Sequence, residues 1–425
     1  MMNKHAVWKT VCAATALTAT AASPGGAGCP AAEFDAWALE HAHSFASAEE
    51  RELRRARFCA TRATVHAHNA KYKRGESGFF MRLNRFAALS AEEWSGMMGY
   101  QQGSLGVAAS AAVTRHGDDE RSRDNNVSAV DWRAKGKVSS VKNQGQCGSC
   151  WAFSAIGAME GAVSIQQGFA WNASDENSGY SVNQCLECTP NAMGCEGGWP
   201  WLCFQHIIDN GGIDSEEDWP YLSSPCDAAK EKLEKVAAIS GFKNITDGDE
   251  SMLQRALAQQ PVSVGVRANC DAFRNYGGGV LDEDCGGGER EIDHAILAVG
   301  YNLTGKNPYY IVKNSWGTSW GEDGYLRMQI GNNLDCIACK ATYPVAAKEQ
   351  PPQPPVPELK CPTGTFDPSL KEPATCPKGS SCCCARNKFW KKDECKETAC
   401  CLEDEVCVNK GFKHGCQKKS ELPPM

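Results

Sequence analysis

The chain has 425 residues and a formal net charge of -7, from 44 basic against 51 acidic side chains. That length exceeds one ordinary domain, 42% apolar and 22% charged residues exclude disorder throughout, and the acidic balance offers no basic face for nucleic acid. The 24 cysteines point to an oxidising compartment in which most thiols are paired, with metal clusters as the rival explanation.

Lys4 and Lys9 precede a small, apolar, uncharged stretch at 11–22, and Ala19, Ala21 and Ala22 offer a cleavage site, so residues 1–22 read as a signal peptide. A disordered leader is the alternative. No other stretch approaches the roughly 20 apolar residues of a membrane span. Between 49 and 69, Glu50, Arg54, Phe58, Thr61, Val65 and Asn69 recur at three- and four-residue intervals without Gly or Pro, one face of a long helix. The charged run 116–126 (HGDDERSRDNN) reads as an exposed connector, with a boundary near Arg123.

The chemistry begins at QGQCGSCWAF, residues 144–153, where Cys150 opens a helix after a Gly-containing turn. A thiol is a poor nucleophile until ionised, and a helix N-terminus stabilises its thiolate. The chain supplies a base in His294, inside the apolar run DHAILAVGY, and an amide in Asn314, inside KNSWGTSWGEDGY, that would orient the imidazole without taking its proton. Farther on, the proline-rich junction EQPPQPPVPELK at 349–360 reads as an extended spacer. Ten cysteines then follow between Cys361 and Cys416.

These segments, with GCEGGWPW at 194–201, resemble the papain-like cysteine peptidases over residues 126–345, in family order and at family-like separations, His294 lying 294 − 150 = 144 residues after Cys150. The resemblance implies an α+β, two-lobe papain-like fold with a cleft between a helical and a β-rich lobe. It implies a cysteine endopeptidase made as a zymogen, with Cys150 as nucleophile, His294 as its partner, Asn314 as orienter and Gln144 as an oxyanion donor. Trp316 would shield the Asn314–His294 bond. Gly197, Gly198, Trp199, Pro200, Gly265, Ala295 and Lys340 would line the substrate cleft. Lys340 falls at the bottom of the pocket for the second residue upstream of the cut (P2), where its ammonium would tolerate an acidic or polar side chain.

The same resemblance pairs Cys147 with Cys195, Cys188 with Cys226 and Cys285 with Cys336, leaving Cys185, Cys203, Cys270 and Cys339 unassigned. The chain departs from the family at Ser181-Val182-Asn183 and by a missing glycine near Cys336. The helical face 50–69 and Asn84-Arg85-Phe86-Ala87 resemble an inhibitory cathepsin L-like propeptide that occupies the cleft backwards. Thr61 stands for an expected Asn, and Arg82 and Ala88 for an expected Gly and Asp, which implies processing that depends less sharply on pH. The tail resembles a granulin-like module with incomplete later cysteine pairs, zinc binding being its rival.

The expected segments are a leader (1–22), propeptide (23–123), peptidase domain (124–347), linker (348–360) and Cys-rich module (361–425). No cofactor and no metal are expected. Expected partners are protein and peptide substrates, the chain's own propeptide and cystatin-like inhibitors, for a monomer on the secretory route to a lysosome, vacuole or the exterior. Sequons at Asn126, Asn172, Asn244 and Asn302 fit that route. Two other classes stay open: a catalytically silent binding homologue, which a lost nucleophile or base would mark, and a precursor whose purpose is to release the granulin-like fragment.

Overall fold

The computed structural model describes residues 29–100, 127–175, 178–222, 226, 235–287 and 291–351, and the backbone of four short strands between 380 and 418. The leader 1–22, the connector 116–126, most of the proline-rich junction and Cys361, Cys376 and Cys395 lie outside the described residues.

The first element is α1 (Ala31–Glu40), followed by α2 (Ala48–Lys73), whose N-terminus is capped by the Ser47 side chain accepting from the Glu50 N–H. The face of α2 that recurs in the sequence packs inward through Phe58, Thr61 and Val65. Phe34, Trp37 and Ala38 of α1 meet Phe58, Ala87 and Ala88 in a small core of their own. A Cys29–Cys59 disulfide closes this core, with Cα atoms 5.7 Å apart. Thr61 donates its hydroxyl to Ala87 O at 2.8 Å, serving a backbone carbonyl where an amide was expected. Asn69 exchanges two hydrogen bonds with the backbone of Met81, at 2.8 and 2.9 Å. These bonds hold β1 (Phe79–Met81) in place, and α3 (Ala91–Ser95) follows, started by a Ser90/Glu93 capping box.

After β2 (Ala129–Asp131), the helical lobe is built on α4 (Cys150–Gln167), buried without interruption from Cys150 to Ser164 and stopped by Gly168 at φ 76°. Two glycines let it lie against the second lobe: a Cβ on Gly157 would come within 2.8 Å of Leu297, and one on Gly161 within 2.5 Å of Pro261. Short helices α5 (Val182–Cys188) and α6 (Pro200–Asp209) pack beside it, α6 opening with a proline where its missing N–H costs nothing.

The second lobe contains β3 (Ile239–Asn244), α7 (Glu250–Leu257), β4 (Val262–Val266), α8 (Asp271–Arg274), β5 (Tyr276–Leu281), β6 (His294–Asn302), β7 (Tyr309–Lys313), β8 (Tyr325–Gln329) and β9 (Ala341–Ala346). The sheet order is β1-β5-β8-β7-β6-β4-β9-β3, with β2 added on β6, and only β5–β8 is parallel. The run of buried residues in β6 explains why DHAILAVGY reads as a continuous apolar stretch. The N-terminal segment contributes β1 to this sheet, pairing Phe79 with Gly279 and Phe80 with Gly278. In the tail, β10 (Ser380–Cys384) pairs β11 (Thr398–Leu402), and β12 (Glu405–Lys410) pairs β13 (Lys413–Lys418), each antiparallel.

Cys147–Cys195 and Cys188–Cys226 are disulfides, and Cys185–Cys203 is a third in the helical lobe. The expected Cys285–Cys336 bridge is corrected: Cys285 pairs with Cys270, and Cys336 with Cys339. Asn333, Asp335 and Cys336 take left-handed conformations at φ 48°, 49° and 63°, folding the chain so that the Cα atoms of Cys336 and Cys339 lie 5.1 Å apart. Cys270, one residue before α8, lies 5.4 Å from Cys285 by the same measure.

Candidate active site

Cys150 is the first residue of α4, fully buried, and the one free cysteine among the described residues. Burial pushes its thiol up to about 11, while the backbone N–H groups of Ala295, Gly99 and Trp151 favour the thiolate. Ala295 follows His294, the first residue of β6, so the strand that presents the imidazole also faces the thiol.

Nε2 of His294 lies 2.9 Å from Oδ1 of Asn314, and the same oxygen accepts from the Ser315 N–H at 2.8 Å. A backbone N–H only donates, so the amide oxygen faces the ring and Nε2 carries the proton. Nδ1 is left buried with a free lone pair. Trp316 stacks on the imidazole, with centroids 4.7 Å apart and planes at 23°, and burial lowers the His294 pKa to about 4. Between these values thiol and imidazole are both neutral in the covered site.

What covers the site is the N-terminal segment. Gln144 donates from Nε2 to the carbonyls of Met97 at 2.9 Å and Cys147 at 2.8 Å, and its Oε1 accepts from Ser315 Oγ. Tyr221 braces this turn, donating to Gln144 O at 2.9 Å and meeting Ser149 Oγ at 2.8 Å. Gly99 accepts from the Gly198 N–H at 2.9 Å, and Tyr100 forms a parallel bridge with Gly198. Upstream, Phe86 and Trp94 meet Trp316 edge to face, at 5.6 and 5.0 Å between centroids.

Gly198 is tight for two reasons: its N–H serves the segment, and a Cβ would come within 2.5 Å of the Trp151 ring. Gly197 precedes it at φ 120°. Trp199 and Pro200 start α6, where the Trp199 ring packs on Trp201 at 5.5 Å. Gly265 pairs with Ala295 across β4 and β6, and its bare Cα faces Ile292, Lys340 Cβ and the Tyr100 ring. Lys340 Nζ donates to Asp247 Oδ2 at 2.9 Å, so the ammonium already has a carboxylate. The sequence reading missed Ser315, Tyr221, Met97, Gly99 and Tyr100; Ser315 had a signal in its place beside Asn314, and the others had none.

Behind the pocket lies a group of acids. Asp335 is buried, accepts from the Cys285 N–H at 2.7 Å and has an unpartnered Oδ2. Burial pushes it up to about 7, reinforced by Asp284 and Asp293 and opposed by Arg267, and burial likewise moves Asp293 up to about 6. A folded-state pKa above the unfolded value gives stability that is present at low pH and lost as pH rises through the folded value. The domain should therefore melt at a higher temperature near pH 5 than near pH 8, and Asp335→Asn should flatten that slope. Thermal melts of the two proteins across pH check this; parallel slopes would remove Asp335 from the account.

A helix-borne thiol, an amide-held imidazole and a cleft filled by the chain's own N-terminal segment define a cysteine hydrolase in its covered form. Residues 127–345 match the papain family cysteine protease model, and residues 34–94 the cathepsin propeptide inhibitor domain. The chain belongs to the papain family of cysteine proteases and is a zymogen with a cathepsin-type propeptide. It is 37% identical over 402 residues to the oryzain beta chain of Oryza sativa, covering 88% of this chain and 80% of that protein. It is 35% identical over 395 residues to cysteine proteinase RD21A of Arabidopsis thaliana, covering 89% and 79%. Among solved structures it resembles digestive procathepsin L 3 of Tenebrio molitor, at 32% identity and a TM-score of 0.63, covering 74% of this chain and 98% of that one. The stem bromelain precursor is similar at 30% identity and 0.63, covering 74% and 97%.

Proposed function

We propose that Cys150 attacks the scissile carbonyl, that Nδ1 of His294 takes the thiol proton and returns it to the leaving amine, and that Asn314 and Trp316 hold and shield the ring. Gln144 and the Cys150 N–H would donate to the tetrahedral oxyanion, each such donor supplying roughly 10²–10³ in kcat. The observation that carries this reading is the track of the N-terminal segment, a peptide backbone laid past Gln144, Cys150 and Gly198. It supports a reversed, uncleaved inhibitor: Gly99 turns its N–H toward the thiol and its carbonyl toward Gly198, and Tyr100 runs parallel to Gly198. Intact mass after activation, with and without an irreversible peptidyl epoxide, tests the assignment. One adduct on the parent and none on Cys150→Ala is expected; none on either would favour a silent binding homologue.

The Tyr100 ring marks the P2 pocket, lined by Gly265, Ile292 and Lys340, and a large hydrophobic P2 is the expected preference. Lys340 would admit an acidic P2 only in competition with Asp247, an exposed pair worth roughly 0–1 kcal/mol. Lys340→Ala should lower kcat/KM for Glu at P2 about threefold, and Asp247→Ala should raise it. A P2-varied library without gain or loss for Glu in either variant would discard this role.

Processing should depend only weakly on mild acid. Arg54 bonds Glu93 through both nitrogens, and that pairing holds the Glu93 carboxyl down at about 2. A depressed pKa gives stability that is lost only as pH falls from the ordinary carboxylate range toward the folded value, so the clamp survives mild acid. Ala88, where an Asp was expected, is buried among Phe34, Trp37 and Phe58, and its carbonyl accepts from Arg54. Ala88→Asp should move the pH profile of processing away from the parent's between roughly pH 6 and pH 4, read by gel over a pH series; superimposable profiles would count against it.

The segment boundaries at 22, 123, 347 and 360, the granulin-like tail and monomeric state belong to this reading, as do cystatin-like inhibitors competing for the open cleft. Six disulfides among the described residues support an oxidising, secretory or vacuolar setting.

A further inference from the structure

The cluster on which Tyr100 packs contains two cysteines. Ile292, Cys336 and Cys339 form a separate buried cluster, at 2%, 7% and 6% exposure, with the Tyr100 ring laid over it. The chain continues from Cys339 into Lys340, whose carbonyl accepts from the Gly265 N–H at 3.0 Å and whose Cβ faces the same side of Gly265 as the ring. The Cys336–Cys339 bond therefore adjoins the pocket that the Tyr100 ring marks.

We propose that this bond is a redox-dependent determinant of what the Tyr100 pocket accepts: oxidised, the wall is closed and selects a large side chain, and reduced, it relaxes and discriminates less. The inference rests on the reading of the cleft as the substrate site. Two features of the fold support it. First, Asn333, Asp335 and Cys336 are left-handed, a conformation disfavoured for residues other than glycine, so the segment has reason to rearrange once the covalent tie is gone. Second, Tyr100 packs on the cluster that Ile292 forms with these cysteines, and removal of the N-terminal segment takes that ring away.

The chemistry is ordinary thiol exchange. The thiolate of a glutathione-class monothiol attacks one sulphur and forms a mixed disulfide, and the other leaves as a thiolate and takes a proton. A second monothiol then attacks the mixed disulfide and frees the remaining cysteine. Two monothiols become one disulfide, and Cys336 and Cys339 gain two electrons and two protons.

The test uses the activated enzyme from the full chain, poised in glutathione buffers of graded ratio. Two fluorogenic peptides that differ only at P2, Tyr against Val, are compared by kcat/KM, while alkylation and mass mapping follow Cys336 and Cys339. Oxidation of Cys150 lowers both rates equally and cancels in the ratio. Absence of turnover of either peptide at every poise would refute the reading of the site, and this proposal with it. The expected result is a Tyr:Val ratio that falls at least fivefold in step with the appearance of the two thiols, and a Cys336→Ser/Cys339→Ser enzyme with the low ratio at every poise. A constant ratio while both thiols are trapped would overturn the proposal. So would failure to trap them wherever Cys150 is active, or a map of the oxidised enzyme joining Cys285 to Cys336. If the double variant does not fold, the parent's titration decides alone.

Discussion

Cys150→Ala should lower kcat by a factor of at least about 10⁴ and leave the proenzyme fold intact. Removing the nucleophile of a hydrolase of this kind leaves only positioning and oxyanion stabilisation, a residual of about 10³–10⁴ over water. The fold should tolerate the change, because the covered thiol is neutral and its loss strips no buried ion of its partner. Gln144 keeps its bonds to Met97, Cys147 and Ser315, and α4 keeps its buried face, so the melting temperature of the proenzyme should hardly move. Turnover of a fluorogenic peptide and a thermal melt check both halves. Activity within tenfold of the parent would mean that the chemistry belongs elsewhere.

The fold and the reacting groups were legible because their signals are local. Helical periodicity along 50–69 reports a face that packs, and the apolar run of β6 reports a strand covered on both sides. Cys150, His294 and Asn314 stand in segments whose neighbours define them, the helix start, the strand start and the strand end. The disulfides were legible only where the family spacing was kept. At Cys285 and Cys336 the chain turns through three left-handed residues, and two cysteines extra to the family pattern took the expected partners. Lys340 could be placed at the pocket but not its carboxylate, since Asp247 lies 93 residues away and meets it only through the pairing of β3 with β9. Gly99 and Tyr100 carried no pattern at all, because what matters is where the cleft puts them.

Gly99→Ala should weaken inhibition by the N-terminal segment at least about 100-fold. A Cβ at this position would lie 1.7 Å from Gly148 O and 2.3 Å from its carbonyl carbon, atoms of the turn that leads into Cys150. That obstacle is backbone, so no side-chain rotation relieves it. Gly148 is held in place, since its N–H donates to Cys195 O at 2.9 Å and the Cys147–Cys195 disulfide fixes the neighbouring chain. The segment must therefore lift, and lifting breaks the bond from Gly198 to Gly99 O and displaces Met97 from Gln144. A hundredfold loss is about 2.7 kcal/mol, well within the reach of two hydrogen bonds and the Tyr100 packing. The measurement is the inhibition constant of the separately added segment 29–100 against mature enzyme, parent against variant. The melting temperature of the segment alone should not change, because Gly99 lies outside its α1–α2 core. An unchanged inhibition constant would mean that α2, β1 and α3 hold the segment without the cleft, and that the track past Cys150 contributes nothing to inhibition.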